Sequence, residues 1–331
     1  MNEAKNMAED TVAVLMSTYN GERYLKEQIE SIITQSFSNW QLYIRDDGST
    51  DHTVSIINEF VHKDKRIIFL NANFDKNLGV TRSFMKILES AEANYYMFSD
   101  QDDYWKQDKI ELTLKKMQAA EEKFNYKPIC VHTNLTIVDN NLNGNLLMKK
   151  PEDTWSNFKQ LLFKNCVTGC TMMINQALKR QINFNDKKLV NVYLHDWWIA
   201  LIAAAFGKVI YLEESTILYR QHVGNLVGSN IKGTAWYNNT VSDPVNERVI
   251  QSMRMIRDFW NAYGNQLQGT NKKYTEKYAK LIGHSNLLRN FITVLHYPPV
   301  RPTIRGDILY GFLVVKNFKE INQLEIDKEK K

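Results

Sequence analysis

Three acids fall within four positions at Asp100-Gln101-Asp102-Asp103, directly after the apolar run Tyr95-Tyr96-Met97-Phe98. Carboxylates that close repel one another, and the arrangement makes sense when a cation sits among them. A hard divalent ion, Mn²⁺ or Mg²⁺, prefers oxygen ligands and commonly binds one or two carboxylates together with the phosphates of a substrate. Alternate side chains of an extended backbone share a side, so the D-x-D spacing of Asp100 and Asp102 aims both at one spot. An acidic loop cap is the alternative, since such triplets are common. Position favours the functional reading, because open α/β sheets bind ligands at the carboxyl ends of their strands and the acids stand at such an end.

The elements that must position these acids follow a simple rhythm. Thr11-Val12-Ala13-Val14-Leu15-Met16 reads as a buried strand that breaks at Ser17-Thr18-Tyr19-Asn20-Gly21. Leu25, Ile29, Ile32 and Ile33 recur at helical spacing. Trp40 to Ile44 is a second strand, ending at Arg45-Asp46-Asp47-Gly48-Ser49-Thr50-Asp51. Ser49 or Thr50 can cap the next helix, whose core face includes Val54, Ile57 and Phe60. Arg66 to Leu70 is a third strand, and a helix marked by Val80, Phe84, Ile87 and Leu88 leads into the acidic one. This alternation predicts an α/β fold with a largely parallel sheet, which brings the ends at Ser17, Asp46 and Asp100 to one edge.

Beyond Lys127 the rhythm weakens. Strands are expected at Cys130–His132, Leu135–Val138, Thr168–Ile174, Val209–Leu212 and Ile217–Tyr219, and a helix over Trp155–Phe163. The apolar stretch Val190–Phe206 is interrupted by His195-Asp196. After about residue 230, Met255, Phe259, Tyr278, Leu281 and Ile282 fall at helical spacing. The expected division is an α/β domain over residues 1–228 and a helical region over 229–331.

Composition narrows the classes. The chain has 331 residues, 44% of them hydrophobic, enough for a proper core. No run reaches the roughly 18–20 apolar residues that span a bilayer. The first ten residues are polar and acidic, so no signal peptide is expected. Cys130, Cys166 and Cys170 are an odd set without finger-like spacing and read as buried thiols of a cytoplasmic protein. Residues 1–230 carry 26 Lys+Arg against 28 Asp+Glu, whereas 231–331 carry 16 against 9. The basic excess therefore lies in the last third and suits an anionic surface or an acidic partner. A nicotinamide dehydrogenase would need G-x-G-x-x-G after the first strand, and the chain has none. Tyr19-Asn20-Gly21-Glu22 stands where a nucleotidyltransferase has a glycine-rich basic loop. A non-catalytic assembly protein would leave the acidic strand ends unexplained.

The motifs Ser17-Thr18-Tyr19-Asn20-Gly21, Asp46-Asp47-Gly48-Ser49-Thr50-Asp51, Ser99-Asp100-Gln101-Asp102-Asp103 and His195-Asp196-Trp197-Trp198 occur in this order over about residues 11 to 225. Together they resemble the family 2 glycosyltransferases, inverting enzymes of the GT-A fold that use nucleotide-sugar donors. Asp100-Gln101-Asp102-Asp103 with Trp105, and Tyr219-Arg220-Gln221-His222 with Asn225, are similar to the bacterial rhamnosyltransferase branch.

The resemblance implies roles for particular residues. Thr18, Tyr19 and Asp46 hold the nucleotide, the ring packing on the base and the carboxylate accepting its N3 hydrogen, while Asp47 supports that loop or the ribose. Asp102 binds a divalent metal, Mn²⁺ or Mg²⁺, and Asp100 holds the sugar or ribose. His222 completes the metal shell, an imidazole that suits Mn²⁺ better than Mg²⁺. Arg220 contacts the diphosphate, and Gly224 to Gly228 form a loop over the donor. Where the family often has Glu-Asp this chain has His195-Asp196, which leaves Asp196 as the general base. Plainer readings stand beside these: a helix cap for Asp196, a simple turn for Asp46-Asp47-Gly48-Ser49, core packing for Trp197 and Trp198.

The implied reaction is transfer of L-rhamnose from dTDP-rhamnose to a lipid-linked saccharide acceptor in cell-surface polysaccharide synthesis. The alternative donors are a UDP-hexose and a UDP-N-acetylhexosamine. The expected place is cytoplasmic, peripheral at the inner face of the membrane, with no nucleic acid as partner. Two short apolar runs between residues 291 and 316, with Arg301 and Arg305 beside them, suit a membrane interface. Packing on the catalytic domain or in a homo-oligomer is the competing expectation.

Overall fold

A strand that is apolar on both sides needs cover on both faces of its sheet. The first run behaves so in the computed structural model, which describes residues 10–71, 76–184, 192–221 and 244–324. Strand β1 (Val12–Thr18) is buried along its length except at half-buried Ser17. Helix α1 (Leu25–Ile33) buries Leu25, Gln28, Ile29 and Ile32, the i, i+3, i+4, i+7 stripe expected of an amphipathic helix. There follow β2 (Trp40–Asp46), α2 (Thr53–Lys63), β3 (Ile67–Phe69), α3 (Val80–Ser90) and β4 (Tyr95–Ser99). These strands pair in parallel in the order β3-β2-β1-β4. Thr18 stands opposite Asp46 and Met16 opposite Ser99, so the three polar strand ends meet at one edge, as the alternation predicts.

The sheet then changes character. After β5 (Tyr104–Trp105) and α4 (Lys109–Lys123) come β6 (Ile129–Val138), β7 (Leu146–Leu147), α5 (Phe158–Phe163), β8 (Met172–Asn175), α6 (Gln176–Gln181), α7 (His195–Phe206) and β9 (Lys208–Arg220). Among the described residues nine strands form one sheet, which continues from β4 through β8, β6, β9 and β5, with β7 paired to β6. Strand β8 is antiparallel to both β4 and β6, whereas β9 runs parallel to β6. Two expected pairs of short strands are single long ones. Thr133-Asn134 reads as a polar break, yet both side chains are satisfied inside the sheet. Thr133 Oγ1 shares a hydrogen bond with Thr216 Oγ1, and Asn134 Nδ2 donates to the Lys149 carbonyl. The β6–β9 pairing shifts register there and carries on. The expected strand at Thr168–Ile174 begins as a 3-10 turn over Gly169–Thr171, and the helix expected from Trp155 starts at Phe158, capped by the Asn157 side chain.

The chain divides into two units, one of Met1–Thr154, Val167–Phe184 and Leu194–Gly228, the other of Trp155–Cys166, Asn185–Tyr193 and Ser229–Lys331. The second contains α5 and the helices α8 (Pro244–Tyr263), α9 (Gly269–Ala279), α10 (Leu287–His296), α11 (Ile304–Lys316) and α12 (Phe318–Gln323). Its aromatic core places the Phe158 ring 5.7 Å from Phe259. Phe163 lies edge-on to Tyr278 and Tyr310, at 4.8 and 5.3 Å. Arg301 Nη1 donates to the Phe163 carbonyl at 2.5 Å.

Candidate active site

The loop after β1 and the turn after β2 are laced together by side chains that replace backbone pairing. Asp46, nearly buried, accepts from the Thr18 hydroxyl (2.8 Å), the Ser49 hydroxyl (2.6 Å) and the Gly48 and Ser49 amides (3.0 and 2.8 Å). Four donors fill the acceptor positions of a carboxylate, so Asp46 organises its own turn. To take a hydrogen from a nucleobase it must release one of the two hydroxyls. Asp47 clamps the next loop, accepting from the Leu78 and Gly79 amides at 2.7 Å each and pairing with Arg45 at 2.5 Å. Both Arg45 and Asp47 are buried, which assigns Asp47 to holding the start of α3. Tyr19, by contrast, is 51% exposed, and its ring is available to stack on a planar ligand.

Gln101 ties this loop to the acidic one. Its Oε1 accepts from the Tyr19 amide at 2.9 Å and its Nε2 donates to the Tyr19 carbonyl at 3.0 Å. The amide thus imitates a strand neighbour. Gly21 lies so close to it that an added Cβ would overlap the Gln101 side chain. Sequence alone places Gln101 within the acidic motif and gives it no role of its own.

The acids themselves differ in depth. Asp103 is fully buried; its Oδ1 accepts from the Arg220 amide at 3.3 Å, and Oδ2 has no hydrogen-bond partner among the described residues. Burial first, then the charges of Asp102 and Asp100, push its carboxyl well up. Asp100 and Asp102 are half-buried and remain within reach of a ligand. Burial, then the negative charges of Asp102 and Asp196, raise the Asp100 carboxyl to about 7. Behind them the Cys170 thiol and carboxylate oxygens of Asp100 and Asp103 lie within 4.8 Å of one another. Burial and the two acids push that thiol up, so it stays protonated near neutral pH and is a poor ligand for a hard ion. Lys109, wholly buried beside the Trp105 ring, is lowered to about 8 by burial and held up by Cys170 and Asp103. One interior lysine stands against four neighbouring carboxyls, Asp100, Asp102, Asp103 and Asp196, and a divalent cation there would take the place of the protons that burial and mutual charge hold on Asp100 and Asp103.

Asp196 enters from α7. Leu194 stands at the N-cap position, so Asp196 belongs to the first turn rather than capping from outside it. Its Oδ2 accepts from the Gly169 amide at 3.1 Å and Oδ1 from the Trp197 amide at 2.5 Å, which fixes the carboxylate at the sheet edge near Asp100. Gly169 is required there, because a Cβ would come 2.8 Å from His195 Nε2. His195 is no base. Its ring lies against Phe84 and Phe98 at 4.3 and 5.3 Å, burial pushes its pKa down to about 3, and neither nitrogen has a hydrogen-bond partner among the described residues. Trp197 and Trp198 are buried core residues and are not free to stack on a sugar.

Arg220, the expected diphosphate contact, turns its guanidinium to protein partners. It is 2% exposed, Nε donates to the Asp102 carbonyl at 3.0 Å, Nη1 bonds the Asn140 carbonyl, and Nη2 pairs with Glu27. Its guanidinium also covers the Tyr24 ring at 4.5 Å. Arg220 therefore anchors the backbone of the acidic loop from below. His222 and the loop Gly224 to Gly228 lie outside the described residues.

Comparison with known proteins gives this geometry its context. Residues 13–181 match the model of Glycosyl transferase family 2. A dTDP-rhamnosyl transferase, RfbG, of Shigella flexneri is 32% identical over 230 residues, covering 67% of this chain and 76% of that protein. A UDP-Glc:alpha-D-GlcNAc-diphosphoundecaprenol beta-1,3-glucosyltransferase, WfgD, of Escherichia coli is 28% identical over 192 residues, 58% of this chain and 69% of that one. The crystal structure of S. aureus TarS 1-349 in complex with UDP-GlcNAc aligns with a TM-score of 0.52 over 94% of this chain and 92% of that chain, at 15% identity, a likeness of fold.

Proposed function

The chain belongs to glycosyl transferase family 2, and from that premise we propose that it transfers L-rhamnose from dTDP-rhamnose to a lipid-linked saccharide, with inversion, during cell-surface polysaccharide synthesis. The observation that carries the reaction is the convergence of Asp100, Asp102 and Asp196 at one sheet edge, where burial first, and then the charges of the other two, raise the Asp100 carboxyl to about 7. The rhamnosyl donor is supported by the likeness to the dTDP-rhamnosyl transferase. A UDP-glucose donor is the second reading, supported by the glucosyltransferase relative, whose acceptor is diphosphoundecaprenol-linked.

In this reading the exposed Tyr19 ring packs on the base, and Asp46 accepts its N3 hydrogen in exchange for the Ser49 hydroxyl. Asp47 holds the adjoining loop by its bonds to the Leu78 and Gly79 amides. Asp102, assisted by Asp100, would hold the divalent cation, which when bound supplies Lewis-acid stabilisation of charge on the departing diphosphate. Asp196 takes the proton of the acceptor hydroxyl as that oxygen attacks the anomeric carbon. The bond to the diphosphate breaks on the opposite face, the nucleoside diphosphate leaves with the electron pair, and the configuration inverts. The Gly169 and Trp197 amides keep the base aimed. A lipid-linked acceptor puts the enzyme at the cytoplasmic face of a membrane.

Calorimetric titration with dTDP and Mn²⁺ tests the metal-dependent half of the proposal. Asp102→Ala should abolish the Mn²⁺-dependent part of binding, because Asp103 is buried beyond reach of a phosphate. Unchanged Mn²⁺-dependent binding in that variant would remove Asp102 from the site.

A further inference from the structure

Helix α10 is amphipathic the wrong way round for a soluble core. Its apolar residues Leu287, Leu288, Phe291, Ile292 and Leu295 are all exposed, Leu288 and Leu295 at 65%. At about 100° per residue they fill one arc of roughly 140°. The opposite arc is the buried one, and it is polar. Asn290 is wholly buried, its Nδ2 donating to the Val314 carbonyl at 2.8 Å and its Oδ1 accepting from Ser285 at 2.8 Å, with Thr293 beside it in sequence order on the same face. The helix is therefore held by its polar side and leaves its apolar side uncovered.

Helix α11 repeats the arrangement. Ile304, Ile308, Leu309 and Phe312 are exposed between 50% and 77%, on the side away from buried Tyr310, Leu313 and Val314. The two helices pack antiparallel, since Asn290 meets Val314 and Val294 meets Gly311. The approach is close enough that a Cβ on Gly311 would come 2.7 Å from Val294 Cγ1. With 10 and 13 residues, α10 and α11 are about 15 and 20 Å long, well short of a bilayer's hydrocarbon core. No described helix is long and apolar enough to cross a membrane.

Charge selects the occupant of this face. Between His284 and Glu320 the chain carries Arg289, Arg301, Arg305, Lys316 and Lys319 against Asp307 and Glu320. Arg289, Arg305, Lys316 and Lys319 are exposed, while Asp307 is turned to the Arg301 amide at 2.5 Å. A second copy would bring the same basic groups against one another, whereas anionic headgroups complement them. We propose that α10 and α11 form an in-plane membrane anchor, with the apolar stripes in the interfacial layer of an anionic bilayer and the bases at its phosphates. The proposal rests on the membrane placement given above and adds the surface that makes the contact.

Flotation of the full chain with vesicles tests it. The unaltered chain should float with phosphatidylethanolamine–phosphatidylglycerol vesicles and more weakly with phosphatidylcholine. Leu288→Ser/Phe291→Ser/Phe312→Ser, all at exposed positions, should lower partitioning at least tenfold, and Arg289→Glu/Arg305→Glu should abolish the preference for anionic lipid. Both variants should hydrolyse nucleotide sugar in solution at the unaltered rate. Undiminished flotation of the triple variant would overturn the anchor. So would an unaltered chain that fails to float and runs as a dimer dissociated by the triple substitution. Vesicle binding needs neither donor nor acceptor. Normal flotation with no turnover of any nucleotide sugar would therefore count against the glycosyl-transfer reading and leave the anchor standing.

Discussion

Replacing Asp100 with Asn should make the folded chain more stable at pH 8 while removing its activity. The carboxyl is raised from 3.8 to about 7, chiefly by burial and then by Asp102 and Asp196. A folded-state pKa above the unfolded one means that the native protein binds the proton more tightly. As pH climbs from about 4 to about 7 the unfolded chain sheds its proton first, so folding loses stability over that window and levels off above it. The gap between 3.8 and about 7, at about 1.4 kcal/mol per pH unit, sets a ceiling of about 4 kcal/mol. Asp100 is half-buried and water can relax around it, so about 1–2 kcal/mol is the expected cost at pH 8. Asparagine keeps the shape and carries no charge. Urea unfolding in metal-free buffer should therefore show Asp100→Asn more stable than the unaltered chain by about 1–2 kcal/mol near pH 8 and equal to it near pH 4. A variant no more stable near pH 8 would refute the idea that an ionised Asp100 is held at this site at a cost, from burial first and its neighbouring acids second.

Two further outcomes follow from the same geometry. Asp196→Asn preserves the size and can keep only one of the two bonds from the Gly169 and Trp197 amides, and it cannot take a proton, so turnover should fall by roughly 10²–10⁴ with donor affinity nearly unchanged; a collapse of affinity and stability together would show that the group only shapes α7. Gln101→Ala removes both bonds to the Tyr19 backbone, about 1–2 kcal/mol of loop order, and should raise the Kd of the nucleotide about tenfold while sparing turnover at saturation; an unchanged Kd would free Gln101 from any part in the site.

Much of the first unit could be read from residues alone because parallel strands covered on both faces are nearly continuous apolar runs. Val12–Met16, Trp40–Ile44 and Tyr95–Phe98 are such runs, and parallel register then dictates that Thr18, Asp46 and Ser99 end together. What escaped was fixed by tertiary partners. Thr133-Asn134 looked like a break until Thr216 and Lys149 supplied their hydrogen bonds. Arg220 is expected at the diphosphate from the family resemblance, whereas Glu27, Asn140 and the Asp102 carbonyl take donors of its guanidinium here. Gln101 carried no signal, since an amide becomes informative only when a loop's bare backbone lies opposite it. The apolar run in α10 was visible in the sequence, but a run does not say whether it faces inward or outward. Buried Asn290 decides the direction.

The most direct test of the central claim is the product itself. The purified chain, supplied with Mn²⁺ and in turn with dTDP-rhamnose, UDP-glucose and UDP-N-acetylglucosamine, should release nucleoside diphosphate from dTDP-rhamnose when a lipid-linked saccharide acceptor is present. Proton NMR of the glycosylated product should show the anomeric configuration opposite to that of the donor, as a single displacement assisted by Asp196 requires. Turnover of the UDP-sugars alone would contradict the rhamnosyl assignment, and a product with retained configuration, or no turnover of any donor, would contradict the inverting transfer on which the account stands.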